Sequence, residues 1–539
     1  MEIPMECHSI PAGEMPGATL LYTTFLRDFS RVSSFYSHPP NATGIQQAAA
    51  EIRTEVATRR GVVEVLRAQN AAFGGDSATS RNLDRLRDGA VAVVTGQQVG
   101  LLGGPAYCVY KALTAIHAAR ELTEKGTNAV PIFWLATEDH DLAEVNHNYF
   151  SKRGGIERLE LVPEGIADRR VGEIRLSDAI REISARAAEM LTGPASEEVA
   201  RWLAGSYLPE ETFGSSFGKL MTRIFAGRGL IFLDPLSPEL HRLSAPTMHR
   251  AIREHKPLSQ ELIARSAALE HAGFHAQVKV TEQSTLVFRI VDRQRLALRP
   301  SDGGFLAGSK WESEEDTLRS LERNPLEFSA SALLRPVIQD TLLPTVAYVG
   351  GAAEVAYQAQ TSVVYQRLLG RAPAILPRAG FTLVPAHVAN LLKKYNLGIA
   401  DVFAGRHRLH AKMESEALPE ALTARFEEGE KIIKGVMEGL REPLSKLDQT
   451  LAGALDTASE KMLYQFNGMR SKAGRAEGFR SGVLNTHENE IASVLFPNNG
   501  LQERSLSLLP FLASEGGELL ERLDGCINVG TGEHCVVEF

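Results

Sequence analysis

Short continuous apolar runs alternate with stretches of helical period along most of the chain. Residues 90–96, AVAVVTG, are too short for a helix and rich in valine, which predicts a strand buried on both faces. The same pattern recurs in NAVPIFWLAT (Asn128 to Thr137), RGLIFLDP (Arg228 to Pro235), LLPTVAYVGG (Leu342 to Gly351) and APAILPRAG (Ala372 to Gly380). Helical stretches separate several of these runs. One is expected from about Pro105 to Lys125, with Pro105 in its first turn. Alternation of this kind builds a parallel sheet, so the fold class is α/β. The first 85 residues read as mostly helical. Residues 151–227 are mixed and then helical, and HAQVKVTEQSTLVFRIVDRQRLALRP (His275 to Pro300) alternates as antiparallel hairpins of an inserted subdomain would.

Beyond about Val388 the period changes. Ile433, Val436, Leu440, Leu444, Leu447, Leu451, Leu455, Ala458 and Met462 recur every three or four residues with polar residues between them. This predicts a long amphipathic helix or helix pair, either packed on its own domain or forming a coiled coil. Pro443 is expected to kink or break it near Glu442. The resulting division is 1–150 (first part of the core with amino-terminal helices), 151–227 (helical insertion), 228–270 (core strand and helix), 271–330 (mixed insertion), 331–387 (second part of the core), 388–480 (helical domain) and 481–539 (a segment returning to the core).

At 539 residues the chain exceeds one hydrophobic core, which agrees with several domains. Its 58 basic and 66 acidic residues give a net charge of −8, which argues against bulk nucleic-acid binding. No apolar run is long enough for a membrane span, and MEIPMECHSI lacks the basic-then-apolar order of a secretory leader. Cys7, Cys108, Cys526 and Cys535 form no CxxC pair or zinc spacing, so a reduced, cytoplasmic location is expected.

Three strand-ending loops carry the candidate chemistry: TGQQVGLLGGP, TEDHD and VGGAAE. Ligands of open parallel sheets bind at the carboxyl ends of strands, so the three loops would line one cleft if their strands are neighbours. The glycines at 96, 100, 103 and 104 fit neither a dinucleotide fingerprint nor a P-loop. Thr95, Gly96, Gln97 and Gln98 instead offer backbone and amide groups to a polar substrate, with Lys111 two turns into the helix for an anion. Glu138, Asp139, His140 and Asp141 could bind a metal, hold an amine or supply a general base. The seven-residue step from His140 to His147 is not that of a zinc helix, and no metal ligands are assigned. Gly350 and Gly351 precede Glu354, Tyr357 and Gln360, spaced by three along a helix, which could recognise an amine. Cys108 is a conceivable nucleophile at a helix start, although a lone helical cysteine is more often a small buried residue.

VVTGQQVGLLGGPAYCVYKALTAI, PIFWLATEDHDLAEVNH, GFHAQV, LRPVIQDTLLPTVAYVGGAAEVAYQAQ and LFPNNGLQER occur in that order. Together they resemble the signature blocks of the bacillithiol-biosynthesis cysteine-adding enzymes over nearly the whole chain. Two positions depart from that pattern: Gly351–Ala352 stands where a glycine–proline pair is usual, and Cys108 where threonine is usual. The resemblance implies a Rossmann-like core related to class I synthetases and nucleotidyltransferases, with connecting insertions and a carboxyl-terminal coiled coil that pairs two subunits. It implies a ligase that joins the carboxyl group of cysteine to the amine of glucosaminyl malate. In that picture His140, with Asp139 or Asp141, deprotonates or positions the amine, Gln97 and Gln98 orient the reacting group, and Lys111 or Arg378 neutralises malate or a leaving phosphate. It also implies ATP or ADP, with magnesium as a possible companion, bound away from the core cleft. RAGFTLVP and LFPNNGLQER are the candidate lining, through Thr382, Leu383, Val384, Pro497, Asn498, Asn499, Gln502 and Arg504. Two other functions remain open: a nucleotidyltransferase acting on a sugar or amino acid, and a non-catalytic nucleotide-binding scaffold.

Overall fold

The computed structural model describes residues 7–53, 55–152, 154–163, 169–416 and 420–539. The start of the chain read above for a leader (residues 1–6), part of the 151–227 insertion (153 and 164–168) and three positions of the helical domain (417–419) lie outside the described residues.

The five apolar runs form one parallel sheet. Its strands are β1 (Val91–Gln97), β2 (Ala129–Leu135), β3 (Ile231–Leu233), β4 (Thr345–Gly350) and β5 (Ala374–Pro377), in the spatial order β5-β4-β1-β2-β3. Val94 of β1 faces Ile132 of β2 on one side and Tyr348 of β4 on the other. Successive side chains point to opposite faces, so β1 feeds two cores. Ala92 and Val94 pack with the amino-terminal helical residues Leu21, Phe25, Val62 and Leu66, while Val93 packs with Ala115 and Ala118. The latter two belong to α1 (Tyr107–Glu124), the crossover from β1 to β2. Pro105 lies just outside α1 rather than in its first turn, because Ala106 is the capping residue. Strand order reverses between β1 and β4, and at such a switch point the flanking crossovers lie on opposite faces and leave a crevice at the strands' carboxyl ends.

Two helices of the second core half flank that crevice: the short α2 (Arg335–Leu342) before β4 and the longer α3 (Ala352–Leu368) after it. The expected hairpin insertion is a five-stranded antiparallel sheet of Lys310–Ser313, Gly304–Ala307, Gln294–Ser301, Val287–Val291 and Phe328–Ala330, in that order. Its first strand begins at Val287; residues 275–286, read above as strand, are turn and loop. A third sheet escaped the sequence pattern. Gly380–Val384 pairs in parallel with His534–Glu538, which pairs antiparallel with Cys7–Ile10.

The periodic apolar stretch is a helix pair, α4 (Glu420–Leu447) and α5 (Thr450–Ser481). Phe426 against Phe466, with ring centroids 5.4 Å apart, and the Arg441–Asp456 ion pair fix them as antiparallel. Pro443 does not break α4, which continues to Leu447. Proline deletes the bond to the carbonyl four residues back. That carbonyl belongs to Gly439, which is exposed and can be hydrated. The reversal falls instead at Asp448, whose side chain accepts from the Thr450 backbone N–H at 2.8 Å. Much of the apolar stripe stays exposed, including Val436 (57%), Leu440 (44%) and Met462 (47%), so a single helix pair does not consume it.

Candidate functional site

The three strand-ending loops meet in one cleft of about 850 Å³ at the switch point. Gly96, Gln97 and Gln98 come from the end of β1, Glu138 and Asp139 follow β2, and Gly351 and Glu354 follow β4. The antiparallel insertion covers the cleft with Phe288, Arg295 and Ala330.

Polar side chains form a connected chain along the floor. Gln98 Nε2 donates to Asp139 Oδ2 at 2.7 Å and to Glu144 Oε2 at 2.8 Å. Gln97 Nε2 donates to the Tyr107 hydroxyl at 3.0 Å, and its Oε1 accepts from Lys111 Nζ at 2.8 Å. Lys111 also donates to the Gly96 carbonyl at 2.7 Å and pairs with Glu354. Glu354 accepts from the Tyr348 hydroxyl at 2.6 Å and from the Gly351 N–H at 2.9 Å, so it caps α3 and neutralises Lys111 at once. Burial pushes the Glu354 carboxyl up, but Lys111 outweighs it and holds the group below the usual carboxylate range. Arg335 ends the chain by donating to the hydroxyls of Tyr348 at 3.2 Å and Tyr357 at 3.0 Å.

The acidic loop is also interlocked. Asp139 Oδ1 accepts the His140 backbone N–H at 2.8 Å. Burial raises the Asp139 carboxyl, yet the contacts from His140, Gln98 and Arg295 keep it well below its ordinary value. Arg295 Nη1 lies 3.0 Å from His140 Nδ1, and the Asp139 carboxylate 3.4 Å from the same nitrogen. An arginine N–H can only donate, so Nδ1 is the acceptor and the ring proton sits on Nε2. Glu138 is buried against His241, 3.2 Å away, which more than offsets its desolvation and holds it ionised. Asp141 is exposed and caps the short helix Leu142–Val145 through the Glu144 N–H at 3.2 Å. His147 lines the cleft, and burial, helped by Arg158, lowers its pKa so that the imidazole is neutral at physiological pH.

Several nominated residues are placed elsewhere. Thr95 is fully buried and ties β1 to β4 through the Val349 carbonyl at 2.9 Å. Gly350 packs at the start of α3, where a Cβ would lie 2.9 Å from the Glu354 Cβ. Gln360 is fully buried, and its amide clamps the Val278 backbone at 2.9 and 2.8 Å. Arg378 is buried in a two-pronged pair with Glu503 and walls both the cleft and an adjoining cavity of about 360 Å³. Cys108 is buried, and desolvation pushes its thiol up to about 12, so no thiolate is available there.

The residues nominated for a nucleotide do not converge. Thr382, Leu383 and Val384 form the buried parallel strand; Thr382 meets His534 Nε2 at 2.8 Å, and Leu383 exchanges bonds of 2.7 and 2.8 Å with the Gln502 amide. Pro497 is buried, and Asn498 is exposed with a left-handed backbone (φ 54°). Asn499 and Arg504 line the 360 Å³ cavity, and Arg504 reaches the cleft as well. A cavity of about 920 Å³ elsewhere, between the third sheet and helices Ala386–Lys394 and Ile399–Phe403, is walled largely by apolar residues such as Leu392, Leu397 and Phe403. It holds none of the strand-end groups, so the switch-point cleft is the candidate site.

The sequence matches two family descriptions that together span nearly the whole chain: the bacillithiol biosynthesis BshC N-terminal Rossmann-like domain over residues 5–379 and the BshC C-terminal coiled-coil domain over 381–539. The chain belongs to the BshC family. Similar proteins include one from Koribacter versatilis (39% identical, covering 95% of this chain and 96% of that one) and one from Solibacter usitatus (36%, 99% and 100%). A third, from Salinibacter ruber, is 30% identical and covers 98% of each chain; all three bear the name "Putative cysteine ligase BshC". In this BshC-family chain the cleft also recruits Tyr107, Glu144, His147, Arg295, Ser331 and Arg335. Tyr107, Glu144, His147 and Arg335 lie inside the sequence blocks quoted above, though none of the four was nominated for the site. Arg295 and Ser331 lie outside those blocks; Arg295 comes from the antiparallel insertion, whose sequence signals only its strands. Among the described residues no group of three His, Cys, Asp or Glu is placed to hold a metal ion, and no helix is long and apolar enough to cross a membrane.

Proposed function

We propose that this chain is a carbon–nitrogen ligase that joins the cysteine carboxyl group to the amine of glucosaminyl malate, producing bacillithiol. Its membership of the BshC family supports the reaction class. The observation that carries the site is the Gln98 amide bridging Asp139 and Glu144 at the switch point, which leaves carboxylate oxygens facing the cleft to receive an ammonium or sugar hydroxyls.

Within that reading, Gln97 and Gln98 orient the reacting groups, each with its amide fixed by neighbours rather than free to rotate. His140 is pinned through Nδ1 by Arg295 and positions Asp139 through its backbone N–H. The neutral His147 imidazole is placed to accept the proton released by the attacking amine. Amide formation from a free carboxylate requires activation, and ATP, with magnesium as its counter-ion, would supply it. Asn499 and Arg504 are the nominated residues that reach a cavity and so are those to test for phosphate contact. We further propose a cytoplasmic homodimer joined through α4 and α5, whose exposed apolar stripe needs a cover.

The test is mass spectrometry of product from purified protein with glucosaminyl malate, cysteine, ATP and magnesium, omitting each in turn. Product that requires cysteine and ATP supports the ligase. Pyrophosphate release without cysteine would indicate a nucleotidyltransferase, and nucleotide binding without turnover a scaffold. His140→Asn and His147→Gln divide the proton-transfer role: loss of the acidic limb of the kcat/KM profile should follow the His147 change alone.

A further inference from the structure

Among the described residues, the basic side chains of the cleft that are shielded from solvent are paired off except at one place, the exposed Arg504 lying at its rim. Lys111 is neutralised by Glu354, Arg378 by Glu503, and Arg295 faces Asp139 at 4.0 Å. Arg335 differs. Its guanidinium donates to the hydroxyls of Tyr348 and Tyr357 and to Gln339 Oε1 at 3.2 Å, all neutral acceptors. Among the described residues no carboxylate lies within ion-pair distance of it. Three neutral acceptors orient the fork without cancelling its charge, and the residue lines the cleft.

A second group points to the same spot. Ser331 lines the cleft one turn before Arg335, and the two are tied by the Arg335 N–H donating to the Ser331 carbonyl at 2.8 Å. The Ser331 hydroxyl oxygen is buried and has no partner within the protein. An oriented cation and an unpartnered hydroxyl on one wall form a carboxylate-binding pair. The cleft is therefore polarised. Asp139 and Glu144 sit at one end of the hydrogen-bonded floor and Arg335 at the other, with Gln98, Gln97, Lys111, Glu354 and Tyr348 between them.

We infer that Arg335 and Ser331 bind a malyl carboxylate of the sugar substrate and so set the direction in which it lies in the cleft. This inference rests on the ligase reading. The substrate amine and hydroxyls then lie toward Asp139 and Glu144. The cysteine carboxyl is the poorer occupant, because it loses its charge when it becomes an amide. A fixed cation would hold its ground state more tightly than its transition state, which slows a reaction rather than speeding it. A carboxylate that survives the reaction carries no such conflict.

Isothermal titration calorimetry on the full chain tests this with two probes: glucosaminyl malate, and methyl glucosaminide, which has the sugar amine but no carboxylate. Arg335→Gln should weaken glucosaminyl malate by about 10- to 100-fold, as expected for losing a charge-assisted bond. Arg335→Lys should recover only part of that, since a lysine cannot donate the planar fork, and Ser331→Ala should lose several-fold. Methyl glucosaminide binding and the KM for cysteine should be unchanged in all three, which also shows that the variants are folded. Equal losses for both probes, a rise in the cysteine KM alone, or glucosaminyl malate binding within twofold of wild type in Arg335→Gln would overturn the inference. So would failure of the wild-type protein to bind glucosaminyl malate. If Arg335→Gln misfolds, Ser331→Ala and Arg335→Lys decide by the same criteria. Arg335-dependent binding without amide product would sink the ligase reading and leave the carboxylate site standing.

Discussion

Glu354→Gln is the most informative single change, because one side chain holds together the cap of α3 and the charge balance of the floor. Lys111 is only 2% exposed, and Glu354 is its one ionic partner among the described residues. Removing the carboxylate leaves an ammonium held by the Gly96 carbonyl at 2.7 Å and the Gln97 amide oxygen at 2.8 Å. Breaking one side of a buried pair costs about 3–5 kcal/mol. The Gln amide oxygen can still accept from Tyr348 or Gly351, so most of the loss is the uncompensated charge. Lys111→Met in the same chain removes that charge, and the double variant should regain about 2 kcal/mol or more over Glu354→Gln. A pH series sharpens the test. Burial already lowers the Lys111 pKa in the folded protein against the opposing pull of Glu354, and without that carboxylate it lies further below the unfolded value. The unfolded chain then binds more protons, so the stability of the variant should rise from neutral pH toward pH 10. Urea midpoints of wild type, both single variants and the double variant supply the measurement. A loss below about 1 kcal/mol in Glu354→Gln, or a double variant no better than it, would refute the reasoning.

Other outcomes are expected. Gly96→Ala places a Cβ 2.9 Å from the Trp134 carbonyl oxygen, so it should destabilise by about 1–3 kcal/mol in thermal melts and shift the strand that carries Gln97. His534 is buried beside Arg378 and Glu503, and desolvation lowers its pKa from 6.5 to about 4. The unfolded chain takes up that proton first, so stability should fall by about 3 kcal/mol as pH drops from 6.5 to 4. A His534→Gln chain should lack that component; parallel curves for the two proteins would refute it. Val436→Glu with Leu440→Glu should convert a dimer to a monomer in light scattering at micromolar concentration while leaving far-ultraviolet circular dichroism unchanged. An unaltered mass would place the dimer contact elsewhere.

The core was legible because a strand buried on both faces must be apolar throughout, and each of the five runs ends in glycine, proline or an acidic loop. The switch point followed from those runs once their order was known. Side-chain direction was less accessible. Glu354, Tyr357 and Gln360 advance by three, but each step turns 60° short of a full rotation, on the order of 120° over two steps. Gln360 has therefore rotated from the cleft onto Val278. The third sheet was invisible because Cys7–Ile10 finds its partner at His534–Glu538, and neither segment carries a local pairing signal. Pro443 misled for a different reason: its effect depends on whether water reaches the Gly439 carbonyl, and the sequence does not record exposure.

That third sheet also ties distant parts of the chain to the cavity beside the cleft. Its middle strand is the last structured segment of the chain, and it joins the first strand to the one that follows the core. Gly532 to His534 wall the cavity beside Arg378, together with Met15 to Ala18 from the other end. Opening the cavity at that wall means unpairing a strand held on both sides, by Gly380–Val384 and by Cys7–Ile10. The wall is a seam joining three separate places in the sequence, and loosening any one of them should be felt at Arg378.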